Sequence, residues 1–213
     1  MLIEIEDLEE HILYEIDLTE RLLALLDDHL IDPLVAGGAP RNWFFGQYAN
    51  DVDIFVRNDK ESFKEIFTYL TSNNIGHYHN IKVSDEILEH YRANTIDGVI
   101  TFQFEKTFQI IRVKEEIINV IDTFPCNISK ISYKDFVLKP NPEFIMGVRT
   151  QTLMFYNDTN DFYRSKIKRY FPRWLVYGDT GGTNIRGRTA HIVTRDEGDE
   201  NEREDNPLEA LLR

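Results

Sequence analysis

A chain of 213 residues with 42% hydrophobic and 12% aromatic side chains is long enough to bury a proper core, as one domain or one domain with a small appendage. Its formal net charge of -13 excludes general, non-specific binding of nucleic acid, because phosphates would be repelled over most of the surface. The single cysteine, Cys126, excludes a disulfide framework and a cysteine-built zinc site, and no apolar run of about 18 residues or basic, greasy leader is present, so a cytoplasmic protein without membrane association is expected.

In chain order, Leu8, Ile12, Leu13, Ile16, Leu22, Leu23, Leu26 and Leu30 recur at helical spacing from Ile5 to about Leu30, with acids opposite, and Pro33 ends that element. Leu34 to Ala36 reads as a short strand, Gly37-Gly38 as a turn, and Pro40 to Phe45 as a short helix stopped by Gly46. Residues 52–56 (VDIFV) predict a buried strand with aspartates at its N-terminal end, and residues 60–72 a helix with Phe63, Ile66, Phe67 and Leu70 on one face. From Tyr91 to Val113 an antiparallel meander is expected, turning at Asp97-Gly98 and again near Glu105-Lys106. A helix at about 114–123 and a strand from Cys126 to Tyr133 follow; after Pro140 and Pro142 come helices over 143–156 and 158–171. The order predicts an α+β fold: a small mixed or antiparallel sheet with packed helices, then C-terminal helices and an acidic tail. The expected organisation is residues 1–139 as the main domain, 140–177 as a helical part and 178–213 as a Gly-rich basic loop with an acidic, solvated tail.

The chemistry concentrates in residues 35–56, VAGGAPRNWFFGQYANDVDIFV. Aspartates at i and i+2 on one strand share a sheet face, so Asp51 and Asp53 can grip metal together. Transfer of a nucleotide from a triphosphate uses two divalent ions, one to acidify the attacking hydroxyl and one to neutralise the leaving pyrophosphate. The paired glycines, Gly37 and Gly38, would let backbone N–H groups approach the triphosphate, and Arg41 would add a charged fork for a phosphate oxygen, or instead pack in the fold or pair with a nearby acid.

The pattern GG, A, P, R, then about ten residues, then D-x-D-I-F resembles the nucleotidyltransferase superfamily of the polymerase-beta type, in particular the head domain of CCA-adding tRNA nucleotidyltransferases and bacteriophage nucleotidyltransferase-like proteins. The resemblance covers roughly residues 30–135 and includes VIDTFPCNISKISY. It implies triphosphate contacts at Gly37 and Gly38 and magnesium at Asp51 and Asp53, two ions in an active enzyme. Two departures stand out. The head domain reads R-D where this chain has Arg41-Asn42, and the third carboxylate that the phage proteins place after VIDTF is here Pro125, with Asp122 nearby at a helix end and Asn127 and Ser129 neutral.

Elsewhere, residues 164–194 carry 7 bases against 1 acid in an otherwise acidic chain. Arg164, Lys166, Lys168, Arg169 and Arg173, interleaved with Tyr163, Tyr170, Phe171 and Trp174, form either an RNA-binding face or a solvated helix whose aromatics belong to the core. His77 and His79 have metal-like spacing but fall in a polar stretch expected to be a loop, without companion ligands, and are read as surface histidines. GDTGGTNIRGR lacks the GK[ST] ending of a phosphate-binding P-loop, and the tail after Arg195 is read as a solubilising segment able to fold over the basic strip.

The function expected is template-independent, magnesium-dependent transfer of a nucleoside monophosphate from an NTP to an RNA 3′ end, such as that of tRNA, or to another hydroxyl. The alternative is an inactive phage relative that binds a host protein in the host cytoplasm.

Overall fold

The computed structural model describes residues 3–4, 8–80, 96–156 and 159–177. The Gly-rich loop, the acidic tail and the beginning of the meander at Tyr91 lie outside the described residues.

The central strand, β3 (Asp51–Val56), shows how the sheet acquires two unlike faces. Side chains alternate along a strand, so Val52, Ile54 and Val56 enter one core while Asp51, Asp53 and Phe55 point to the other side. Around it lie β1 (Ile3–Glu4), β2 (Leu34–Ala36), β4 (His77–Asn80), β5 (Ile96–Phe104), β6 (Lys106–Val113), β7 (Ile131–Lys134) and β8 (Val137–Pro140). They form an eight-stranded sheet in the order β1-β8-β7-β2-β3-β6-β5-β4. Neighbours are antiparallel except β3 and β6, which run parallel with Asp51 beside Thr107 and Asp53 beside Gln109. The architecture is the expected α+β arrangement of a mixed sheet with packed helices.

The larger core fills the face bearing Val52 and Ile54. Ile12, Ile16 and Leu22 of α1 (Glu10–Leu25) and Phe63, Ile66 and Leu70 of α3 (Lys60–Ser72) pack there. α3 begins where the sequence places it because the Asp59 carboxylate accepts hydrogen bonds from the backbone N–H groups of Glu61 and Ser62, at 2.8 and 2.9 Å. The opposite face is covered only in part: α4 (Ile117–Asp122) lays Ile117, Val120 and Ile121 over Phe55, Val99 and Ile111. The end of β3 carrying the aspartates lies beyond this patch.

The C-terminal elements are α5 (Pro142–Thr150), β9 (Thr152–Met154), α6 (Asp161–Tyr170) and β10 (Leu175–Tyr177), with β9 and β10 forming a separate parallel pair. Phe144, Leu153, Phe155, Ile167 and Phe171 of this part join the same core cluster as the sheet. Asn141 and Asn160 cap α5 and α6 through side-chain acceptors.

Several local expectations are corrected. Asp97-Gly98 is not a hairpin turn; it lies inside β5, where the register with β6 shifts in a bulge between Ile96 and Gly98. Asp97 pairs with Arg112 at 2.7 Å, and a Cβ on Gly98 would stand 2.8 Å from Phe63 Cε1, so tight packing rather than chain reversal uses the glycine. The helix expected over 143–156 stops at Thr150 because Gln151 takes a left-handed conformation (φ 49°), after which β9 begins. The strand expected from Cys126 is a 3₁₀ turn over Asn127–Ser129, with β7 starting only at Ile131. His77 and His79 lie in β4 rather than in a loop.

Gly147 in α5 is another close approach: an added Cβ would lie 2.2 Å from Asn127 Nδ2 and 3.0 Å from the Thr152 carbonyl oxygen. Asn127 bonds both the Thr152 carbonyl and the Met154 N–H, so it cannot withdraw freely. Gly147→Ala is expected to cost about 1–3 kcal/mol, read as a lower midpoint in denaturant titration; an unchanged midpoint would show that the 127–154 junction is soft.

Candidate active site

α2 (Gly38–Phe44) follows β2 through Gly37, whose φ of 85° is a conformation that side-chain-bearing residues rarely adopt. The Gly37 N–H donates to the Ile131 carbonyl at 3.0 Å, and the ring of Phe124 lies 3.3 Å from where a Cβ would project. Turn and close approach both require glycine here. Gly38 opens the helix, and Arg41 lies one turn on.

Arg41 is only 4% exposed. Its Nε and Nη2 donate to Asn42 Oδ1 at 3.0 and 2.8 Å, while Asn42 Nδ2 donates to the Tyr48 carbonyl at 2.8 Å. Asn42 therefore fixes the arginine and the loop leading to β3 with one neutral amide. The guanidinium stands 5.5 Å from the centre of the Tyr170 ring, a cation–π distance. The same loop is held from below by Glu15, a 4% exposed acid of α1. Its carboxylate accepts from Trp43 Nε1 at 2.8 Å and the Ala49 N–H at 3.0 Å, and pairs with Lys106.

At the N-terminal end of β3, Asp51 and Asp53 are each half-buried. Asp53 Oδ1 is sealed from solvent and has no hydrogen-bond partner. Burial, then the charge of Asp51, push the Asp53 carboxyl up to about 7, against the opposing pull of Lys166 and Arg41. An orphaned carboxylate oxygen beside a second carboxylate is a donor set for a hard divalent cation. Among the described residues no group of three or more His, Cys, Asp or Glu side chains is placed to hold a metal. The positions beside the aspartates on β6 are the neutral Thr107 and Gln109, and Thr107 donates to Gln103 Oε1 at 2.8 Å.

The segment in which the sequence seeks a third acid is occupied otherwise. The Pro125 carbonyl accepts from Thr159 Oγ1 at 3.0 Å, and Asp122 accepts from Asn141 Nδ2 at 3.0 Å. Asn127 ties down β9, and Ser129 Oγ lies 2.5 Å from the Tyr163 hydroxyl. Cys126 is wholly buried, and burial pushes its thiol up to about 11, which makes it an inert packing group.

The members of the basic cluster have different surroundings. Arg164 is half-buried, donating from Nε to the Thr159 carbonyl at 3.0 Å with its guanidinium 5.4 Å from the Phe155 ring. Lys168 is half-buried, and Arg169 and Arg173 are exposed. Lys166 instead lies near enough to Asp53 to favour its ionised form. Its neighbours on that stripe of α6 also meet the site: Tyr163 at Ser129, and Tyr170 at Arg41 and, through its hydroxyl, at Asn50 Nδ2 at 3.4 Å. Spacing at i, i+3 and i+7 marks this stripe in the sequence, but nothing local says that it docks against the aspartates.

No family model matches the sequence, and no curated protein matches it. Solved structures do match in fold. A Thermotoga maritima CCA-adding enzyme complexed with tRNA aligns over 84% of this chain and 43% of its own, with a TM-score of 0.55 and 12% identity. A CCA-adding enzyme complexed with ATP aligns over 83% of this chain and 43% of its own (TM-score 0.56, 12% identity), and one complexed with CTP over 72% and 37% (TM-score 0.50, 14% identity). The chain spans less than half the length of these enzymes.

Proposed function

We propose that this chain, which has the nucleotidyltransferase fold of the CCA-adding enzymes, is a magnesium-dependent transferase that moves a nucleoside monophosphate from an NTP to a hydroxyl, with an RNA 3′ end as the preferred acceptor class. The observation that carries the reading is the Asp51–Asp53 pair at the N-terminal end of β3, with Asp53 Oδ1 buried and unpartnered. Asp51 and Asp53 would hold magnesium, which when bound supplies a positive charge that acidifies the acceptor hydroxyl and steadies the leaving pyrophosphate. Gly38, at the start of α2, would present its backbone to the triphosphate without a side chain in the way, while Gly37, its N–H spent on the Ile131 carbonyl, supplies the turn that brings it there. Arg41, held by Asn42 and stacked near Tyr170, contributes a fixed positive charge that does not reorganise during the reaction. The exposed Arg169 and Arg173 offer phosphate contacts to an RNA acceptor.

The test is transfer of label from each α-labelled ribonucleoside triphosphate, with magnesium, to total bacterial RNA and protein, alongside an Asp51→Ala, Asp53→Ala control. Label on RNA that disappears in the control supports the reading and identifies donor and acceptor. A folded protein that moves no label from any triphosphate sinks it. That outcome supports a second reading, favoured by the neutral Thr107 and Gln109 beside the carboxylates: a non-catalytic relative that works by binding another macromolecule, a host protein if the chain is phage-encoded.

A further inference from the structure

The helix stripe that reaches the site carries a cation, Lys166, near enough to Asp53 to favour its ionised form. α6 turns one stripe toward the site, with Tyr163 anchored at 2.5 Å to Ser129 and Tyr170 lying 5.5 Å from the Arg41 guanidinium. Lys166 lies between them on the same stripe, and Ile167, fully buried, fixes the rotation of the helix. Lys166 is half-buried and forms no hydrogen bond or ion pair with a described residue, and Asp53 Oδ1 is likewise without a partner. On the strand beside the aspartates, Thr107 and Gln109 contribute no negative charge.

A pair of divalent ions brings four positive charges and needs several anionic ligands to hold the ions close together. Two carboxylates satisfy one such ion, whose other positions are filled by water and substrate oxygens. A lysine ammonium is a compact point charge on a flexible stem; it can supply positive charge beside a bound ion without consuming a ligand. We propose that Lys166 is the second positive charge of this centre, so that Asp51 and Asp53 take a single divalent cation and the nearby Lys166 ammonium supplies the charge that a second ion would otherwise bring. The inference rests on the reading above only in placing a divalent cation at Asp51 and Asp53.

Mn²⁺ serves as the probe, its binding followed by loss of the free-ion electron paramagnetic resonance signal during titration of the full chain, with Mg²⁺ as competitor. Wild type is expected to bind one Mn²⁺, abolished by Asp51→Asn with Asp53→Asn. Lys166→Met, which keeps the stem but removes like-charge repulsion, is expected to bind Mn²⁺ about tenfold more tightly or to admit a second ion. Lys166→Arg is expected to stay within about twofold of wild type, as a retained charge requires. Circular dichroism confirms that each variant is folded. Two Mn²⁺ per wild-type chain, both lost in the aspartate variant, overturns the inference and leaves the transferase reading standing. So does one Mn²⁺ whose affinity is unchanged or weakened in Lys166→Met. No Mn²⁺ sensitive to Asp51 and Asp53 overturns the metal site itself and the inference with it.

Discussion

Asparagine in place of Asp53 will have opposite effects on activity and stability: label transfer will fall by at least about 10³-fold, while the metal-free protein becomes more stable above neutral pH. The first effect follows because an amide cannot neutralise a cation, and the proposed transfer would rely on electrostatics at this position. The second follows from linkage. Free aspartate ionises near 3.8, whereas Asp53 in the folded chain is held up to about 7 by burial and by Asp51. Below the lower value both states are protonated and the site costs nothing. Between about 4 and 7 the unfolded chain releases a proton that the folded chain keeps, so wild-type stability declines through that window and stays reduced above it. The Asp53→Asn variant has no such titration. Its advantage should be near zero at pH 4 and reach roughly 2–4 kcal/mol by pH 8, measured by denaturant titration at both values. Magnesium added at pH 8 should raise the midpoint of wild type and leave the variant unmoved. Equal stabilities at pH 8, or a magnesium shift in the variant, would show that Asp53 is not a strained, cation-seeking group.

Glu15→Ala is expected to cause the largest loss of stability, about 3–5 kcal/mol, because it strands Lys106 opposite a vacated, 4% exposed position. Two further donors, the Trp43 indole and the Ala49 N–H, lose their acceptor at the same time. The melting temperature should drop by roughly 10 °C for a chain of this size. Glu15→Gln keeps an oxygen for those donors but not the charge for Lys106, and should lose less. If alanine were tolerated with a shift of a degree or two, Glu15 would be a surface acid after all.

Much of the site is legible locally, because its signals are short-range. Positive φ at Gly37 is announced by the glycine pair, the strand by its alternating β-branched residues, and the start of α3 by Asp59 two residues ahead of Glu61. What escapes depends on partners distant in sequence. Glu15 looks like one more acid on the polar face of an amphipathic helix until Lys106, on a strand some ninety residues later, is brought beneath it. Asp97-Gly98 has the chemistry of a hairpin turn, and only the ring of Phe63 decides that the glycine relieves crowding instead. Lys166 reads as one of five cations competing for RNA, because the docking of α6 against the sheet is decided by Ile167 and Phe171 and leaves no mark in the charge pattern. Gln151 ends its helix in a left-handed conformation without the glycine that would advertise it.

The Arg41–Asn42 contact changes how the molecule looks to an approaching anion. Where the CCA-adding head domain resembled by this sequence carries an aspartate next to the arginine, that acid would cancel the guanidinium's field a few ångströms from its source. An amide orients the same fork without adding a negative charge beside it, so the positive charge of Arg41 is left to act on Asp53 and its surroundings. In a chain with a formal net charge of -13, the arginine thereby keeps a local pull on an anion that the rest of the molecule repels. Added salt would help a polyanion past the distant repulsion and weaken its final capture. The balance between those two influences, rather than net charge, would set how fast the site fills.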